Sequence, residues 1–237
     1  MRDYKAEFEK RVSFIRNTLS AANAKGIVFG NSGGKDSALA GILCKAACGN
    51  TLGVMMPCDS ARNFSEDITH AELLAEQFSI ESMTVDLTAA KREIADRTRL
   101  SDTAKTNIAP RLRMTALYAI AQTRGALVCG TGNKSERYMG YFTKWGDGAF
   151  DFNPIADLTA TEIFEFLRYL AAPACIIDKA PSAGLFEGQT DETEMGVTYK
   201  EIDAFLAGER VSERAAEIIK AAHAKTDHKR GTGVVCE

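Results

Sequence analysis

The chain has 237 residues, 45% of them hydrophobic and 26% charged, with a formal net charge of −3. That length suffices for one large core or at most two small ones, and the composition is that of an ordinary globular protein whose charge gives no support to a nucleic-acid partner held by bulk electrostatics. No apolar run approaches the ~20 residues of a bilayer span, and the start, MRDYKAEFEK, lacks a signal-peptide core, so a cytoplasmic protein without a membrane partner is expected.

Residues 4–21 place Phe8, Val12, Ile15 and Leu19 on one face, predicting an amphipathic helix. Gly26–Phe29 is a short β-branched run bounded by Gly30, which suits a buried strand, and an Ala- and Leu-rich helix is expected from Ser37. Thr51–Met56 reads as a second strand ending at Pro57, followed by a helix from Ser65 that carries Ala71, Leu74, Ala75 and Phe78. Met83–Leu87 reads as a third strand, Pro110–Thr123 as a helix with proline in its first turn, and Ala126–Cys129 as a fourth strand running into Gly130-Thr131-Gly132. Thr159 and Glu162 have capping-box spacing and open another helix. Alternation of this kind predicts an α/β fold: one parallel sheet with helices on both faces and right-handed crossovers, in a single domain over residues 1–237. Two long irregular stretches, 133–148 and 173–198, fit ligand loops at the carboxyl ends of parallel strands. The six cysteines (Cys44, Cys48, Cys58, Cys129, Cys175 and Cys236) form no CxxC pair, which favours reduced, mostly buried thiols over a zinc site.

Between the first strand and its helix lies Gly30-Asn31-Ser32-Gly33-Gly34-Lys35-Asp36-Ser37. A glycine-rich turn opening a helix presents unpaired N–H groups and the positive end of the helix dipole, so the expected ligand is a phosphate. The spacing departs from the Walker A motif because Asp36 follows Gly34-Lys35, and it is neither Gly-x-Gly-x-x-Gly nor Gly-x-Ser-x-Gly. Gly33 and Gly34 allow close approach of the backbone to pyrophosphate, Ser32 and Ser37 add hydroxyls, and Asp36 is suited to ligate magnesium.

Residues 32–37 resemble the PP-loop of ATP pyrophosphatases, which cleave ATP between the α and β phosphates. Further segments, Asn107–Met114, Gly130–Leu158, Lys179–Leu206 and Thr226–Arg230, are similar to the NAD synthetase family and occur in its order over nearly the whole chain. The resemblance implies an adenine nucleotide α-hydrolase-like, Rossmann-like fold. It also implies an AMP-forming ligase that amidates nicotinic acid adenine dinucleotide (deamido-NAD) with ATP, Mg²⁺ and ammonia. By position it places Gly30, Asn31, the 32–37 loop, Thr131 and Ser182 at ATP, with Asp36 and Glu136 on the metal. It places Arg111, Lys144, Asp151, His228 and Lys229 at the dinucleotide, and gives Lys179, Asp191 and Glu192 catalytic roles on a mobile segment of about residues 179–195. A homodimer is implied too, supported by the apolar excess of the Pro110–Thr123 helix.

Many relatives carry a lysine where this chain has Ala160, so Lys35 or Lys179 substitutes for it or ATP is held less firmly. Arg111 and Arg113 stand two apart and diverge on a helix. Trp145 reads equally as packing or as a stacking surface. Asp151 has the alternative of capping a turn, and His228, Lys229 and Arg230 that of solvated surface charge. The rival functions are another PP-loop enzyme such as a tRNA-modifying thiolase, or a non-catalytic nucleotide-binding protein. Free ammonia is the expected nitrogen donor, with a separate glutaminase as the alternative.

Overall fold

A computed structural model describes residues 2–60, 63–179, 190–231 and 233. In chain order the elements are α1 (Tyr4–Ala21), β1 (Gly26–Gly30), α2 (Lys35–Ala47), β2 (Thr51–Met55), α3 (Ile68–Gln77), β3 (Glu81–Thr84), α4 (Thr88–Arg97) and α5 (Asp102–Thr106). They continue with α6 (Ile108–Arg124), β4 (Ala126–Cys129), α7 (Lys134–Met139), α8 (Ala160–Tyr169), α9 (Ala174–Ile177), α10 (Asp191–Met195), α11 (Tyr199–Leu206) and α12 (Glu213–Lys225). The four strands form one parallel sheet in the order β3-β2-β1-β4.

Alternation along the central strand β1 sends Ile27 and Phe29 into one core with α1, α2 and α8, while Val28 faces another built with Met114, Leu117 and Ala121 of α6. The expected arrangement of helices on both faces is therefore realised. Phe29 allows no Cβ at Gly41 of α2, where one would lie 2.5 Å from its ring. A third cluster joins Met139 of α7, Ala160 of α8 and Tyr199 and Ile202 of α11 to Ala215 and Ile219 of α12. This cluster fixes the carboxyl-terminal helices against the edge where β4 ends.

Among the boundaries that differ from the sequence reading, three bear on the site or on the edge of the sheet. The helix after β1 starts at Lys35 rather than Ser37, because Gly34 is its N-cap, so Lys35, Asp36 and Ser37 are its first turn. The third strand is Glu81–Thr84 rather than Met83–Leu87. It is an edge strand whose residues are all exposed, so its polar start left no apolar signal. The N–H groups of Val85 and Leu87 still bond Met55 and Pro57 carbonyls at 2.9 and 3.0 Å, which prolongs the contact beyond the strand. Ahead of α3 the chain makes a wide helical turn, Asn63–Asp67, in place of a regular helix from Ser65.

Candidate active site

The PP-loop is held open by its own polar atoms. Ser37 Oγ accepts from the Ser32 N–H at 3.3 Å, lies 3.0 Å from Ser32 Oγ and donates to the Gly34 carbonyl at 3.0 Å. Gly33 has φ +68°, and a Cβ there would lie 2.3 Å from the Asp67 carbonyl oxygen, so glycine is required on both counts. Asn31 is buried and braces the loop from behind, its Nδ2 donating to the Ala71 carbonyl at 3.0 Å.

A buried ionic centre sits at the mouth of this loop. Lys35, only 6% exposed, points its Nζ at Asp36 Oδ2 at 2.5 Å and lies 4.0 Å from Glu136 Oε1. Burial opposes its charge, but Asp36, Glu136 and Asp191 together raise its pKa above the ordinary lysine value. Glu136 arrives from α7, where it forms a capping box with Asn133. Asn133 Nδ2 donates to Asp36 Oδ1 at 3.0 Å and the Asn133 backbone N–H donates to Glu136 Oε2 at 3.1 Å, so one residue orients both carboxylates. Burial and the neighbouring Asp36 push Glu136 up to about 8, against the opposing pull of Lys35 and the Asn133 N–H. Tyr199 completes the centre, donating to Asp191 Oδ2 at 2.9 Å and lying 3.4 Å from Glu136 Oε1. Burial and these carboxylates keep its phenol protonated.

The centre opens into a cavity of about 450 Å³. Gly30, Asn31, Ser32, Gly34, Lys35, Asp36, Ser37, Thr131, Glu136, Lys179, Asp191 and Lys229 all line it, so the PP-loop and the chain after β4 face one space. Lys179 reaches it from the far side, paired with Asp67 at 2.6 Å and Glu66 at 3.6 Å. Lys229 donates to the carbonyls of Gly140 and Phe142, both at 2.9 Å, and burial lowers its pKa.

The remaining expected residues divide. Arg111 Nε donates to the Lys144 carbonyl at 3.3 Å, and Lys144 Nζ donates to the His228 carbonyl at 2.5 Å. These three therefore gather beside Lys229, next to the cavity but not in its lining, with Arg111 and His228 exposed and Lys144 half-buried. Asp151 instead pins the backbone: its Oδ2 accepts from the Val128 N–H at 2.7 Å and its Oδ1 from the Tyr118 hydroxyl at 3.2 Å. Glu192 is exposed and accepts from the Tyr199 N–H at 2.8 Å, heading α11 rather than lining the cavity. Asp191 is buried at the start of α10, within the segment read as mobile. Ser182 lies outside the described residues. Trp145 is 57% exposed, which removes its packing reading.

A glycine-rich loop and two carboxylates facing one cavity, with Arg111, Lys144 and His228 beside it, agree with the comparisons. The family model described as NAD synthase matches residues 7–233. The chain belongs to the NAD synthase family. It is 43% identical to the NH(3)-dependent NAD(+) synthetase of Carboxydothermus hydrogenoformans, an alignment covering 96% of each chain. Among solved structures it is similar to the NMN synthetase of Francisella tularensis, with TM-score 0.95 and 40% identity over 100% of this chain and 99% of that one. It is also similar to the NH3-dependent NAD synthetase of Campylobacter jejuni, with TM-score 0.86 and 26% identity over 100% of both chains.

Three residues of this NAD synthase site escaped the sequence reading as site residues. Asn133 carried a usable signal, since Asn-x-x-Glu before a helix is capping spacing. Tyr199 is brought in by tertiary folding alone. Arg113, not Arg111, lines the cavity, donating to the Met56 carbonyl at 3.1 Å, and burial lowers its pKa. Of the two lysines that could substitute at Ala160, Lys35 shares neighbours with it. Its ammonium lies over the rings of Phe164, one turn after Ala160, and of Tyr199, which packs in the same cluster as Ala160.

Among the described residues no three histidine, cysteine or carboxylate groups form a metal cage. Asp36 and Glu136 nevertheless fit magnesium, which is commonly held by one or two carboxylates with substrate phosphates and water completing the shell.

Proposed function

We propose that the Ser32–Ser37 loop holds the β and γ phosphates of ATP while the α-phosphorus faces the cavity, and that the rim of Arg111, Lys144, His228 and Lys229 receives the second nucleotide. The chain is a C–N ligase that amidates deamido-NAD with ammonia and ATP. In the first step a carboxylate oxygen of the nicotinate attacks the α-phosphorus and pyrophosphate leaves. In the second, ammonia adds to the adenylated carbonyl, loses a proton, and AMP departs. The chain's own work is to align the reactants and supply fixed dipoles and cations where charge develops. The loop N–H groups and Ser32 and Ser37 hydroxyls receive the departing pyrophosphate. Magnesium held by Asp36 and Glu136 would neutralise the phosphate charge.

The single observation that carries this reading is the convergence of the 32–37 loop, Asp36 and Glu136 on one cavity. The residue roles, the metal, a single catalytic unit over residues 1–237 and a cytoplasmic location all belong to it. The location is supported by Cys44, Cys58 and Cys129 lying buried as free thiols. No helix of the described residues is long and apolar enough to cross a membrane, and neither membrane nor nucleic acid enters the proposed reaction. We also assign a homodimer through the outer face of α6, where Leu112, Ala116 and Ile120 are only partly buried and Tyr118 is 36% exposed. Sedimentation of the wild type and of Tyr118→Glu tests it: a fully active wild-type monomer at micromolar concentration overturns it.

The Francisella likeness supports a second reading, in which the acid amidated is the mononucleotide. Incubation with ATP, magnesium and ammonium, using nicotinic acid adenine dinucleotide or nicotinic acid mononucleotide in turn, separates the two. NAD with AMP is expected from the first; NMN formed with the larger kcat/KM selects the second. Glutamine should not replace ammonium for this chain alone.

A further inference from the structure

Lys35 is an unusual tenant for the heart of a metal and phosphate site. Its side chain is 5% exposed, its ammonium touches Asp36 at 2.5 Å, and Glu136 lies 4.0 Å away. Asp191 adds a third carboxylate to its surroundings, and the rings of Tyr199 and Phe164 lie 5.0 and 5.8 Å from Nζ. An isolated buried ammonium is costly, and so are three carboxylates gathered without a cation. Each makes the other tenable. The oxygen that Lys35 engages, Oδ2 of Asp36, is also the one left over once Asn133 has bonded Oδ1, so it is the oxygen available to a metal.

We propose that Lys35 is a built-in counter-ion with two positions: without nucleotide it neutralises the Asp36–Glu136–Asp191 centre, and on ATP binding it turns from Asp36 to the phosphates, leaving Asp36 Oδ2 to the magnesium. The move is short, because Lys35 and the loop that would hold the phosphates line the same cavity. A lysine stem pivots about its rotatable bonds without moving the helix that carries it. The free centre therefore competes with magnesium, and nucleotide and metal load together rather than metal alone. This rests on the loop being the ATP site.

The test is calorimetric titration of the nucleotide-free protein with MgCl₂ alone, comparing the wild type with Lys35→Met. The variant lacks the competing ammonium and should bind the ion at least about tenfold more tightly, a change of about 1.4 kcal/mol. Magnesium alone should correspondingly raise its Tm by several degrees more than it raises the wild type's. At saturating magnesium the variant's KM for ATP should rise about tenfold or more, since a phosphate contact is gone. Lys35→Gln repeats the series should the methionine variant fail to fold. Magnesium affinity unchanged within twofold, or an unaltered KM for ATP, overturns the proposal. Failure of the wild type to form NAD or NMN would instead overturn the reading on which it rests, and the metal titration stays separate from that outcome.

Discussion

The two ends of the cavity are built on opposite principles. At the PP-loop end polar side chains pair within the protein: Ser32 with Ser37, Asn31 with Ala71, Asn133 with Asp36 and Glu136, Lys35 with Asp36. Beside the other end, Arg111 and His228 are exposed and Lys144 is half-buried, and the three are joined through main-chain carbonyls. Apart from the Lys35 ammonium, which is proposed to turn to the phosphates, the first end is preorganised, where fixed dipoles act on developing charge without reorganising. The second is adaptable and suited to binding. Substitutions at the two ends should therefore separate turnover from affinity.

The largest expected effect is at Asp36. Asp36→Asn should lower kcat by about a thousandfold or more, the scale of a lost electrostatic group in a preorganised site. Asp36 also holds a buried ammonium, so the variant should lose stability as well, toward the lower part of the ~3–5 kcal/mol seen when a buried pair is broken, because Glu136 remains at 4.0 Å. Urea unfolding and steady-state kinetics check both; a fully active variant with unchanged magnesium dependence contradicts the metal role.

Gly33→Ala comes next. The left-handed backbone alone costs about 1–2 kcal/mol, and the 2.3 Å approach to Asp67 must be relieved by moving the Asn63–Asp67 turn away from the loop. A kcat loss of about a hundredfold is expected from such misplacement. Wild-type kcat in this variant would mean that the loop does not need its observed shape.

At the rim, Lys144→Ala should raise KM for the dinucleotide about tenfold and leave kcat within about twofold, the pattern of lost uniform binding. A drop in kcat with unchanged KM would erase the distinction between the two ends.

The smallest effect lies outside both. Arg11, buried on α1, donates to the Pro154 carbonyl and to Asp157, fastening the segment that leads to α8, while Arg2 bonds Glu162. Burial pushes the Asp157 and Glu162 pKa values up, but the arginine contacts outweigh it and both end below their ordinary values. Depressed carboxylates stabilise the fold above their unfolded pKa values, and that contribution disappears as pH falls through the folded ones. Wild-type Tm should therefore fall between about pH 5 and 3 more steeply than that of Arg11→Met; parallel curves would contradict the clamp.

The same contrast explains what the sequence made legible. The β1 loop is local: strand, glycines and helix start are consecutive, so its chemistry could be read residue by residue, and α1 and β4 were placed with their observed bounds. The ionic centre is not local. It joins residues 35–36, 133–136, 191 and 199, and only tertiary packing brings Asn133 to Asp36 and Tyr199 to Glu136 and Asp191. Arg111 and Arg113 shared one motif, and which of them faces the cavity depended on how α6 lies on the sheet. Helix α4 buries none of its residues, so its sequence carries no core-facing apolar stripe. Asp151 was assigned to the dinucleotide by resemblance, yet its carboxylate holds Val128 and Tyr118.

In the proposed reaction this cavity joins the substrate carboxylate to the α-phosphorus of ATP. That step is tested most directly with deamido-NAD labelled with ¹⁸O in the nicotinate carboxylate, followed by mass analysis of the products. One labelled oxygen should pass to the phosphate of AMP, with AMP, pyrophosphate and NAD formed in equal amounts and no label in pyrophosphate. Formation of ADP and orthophosphate, or AMP free of the label, would contradict it.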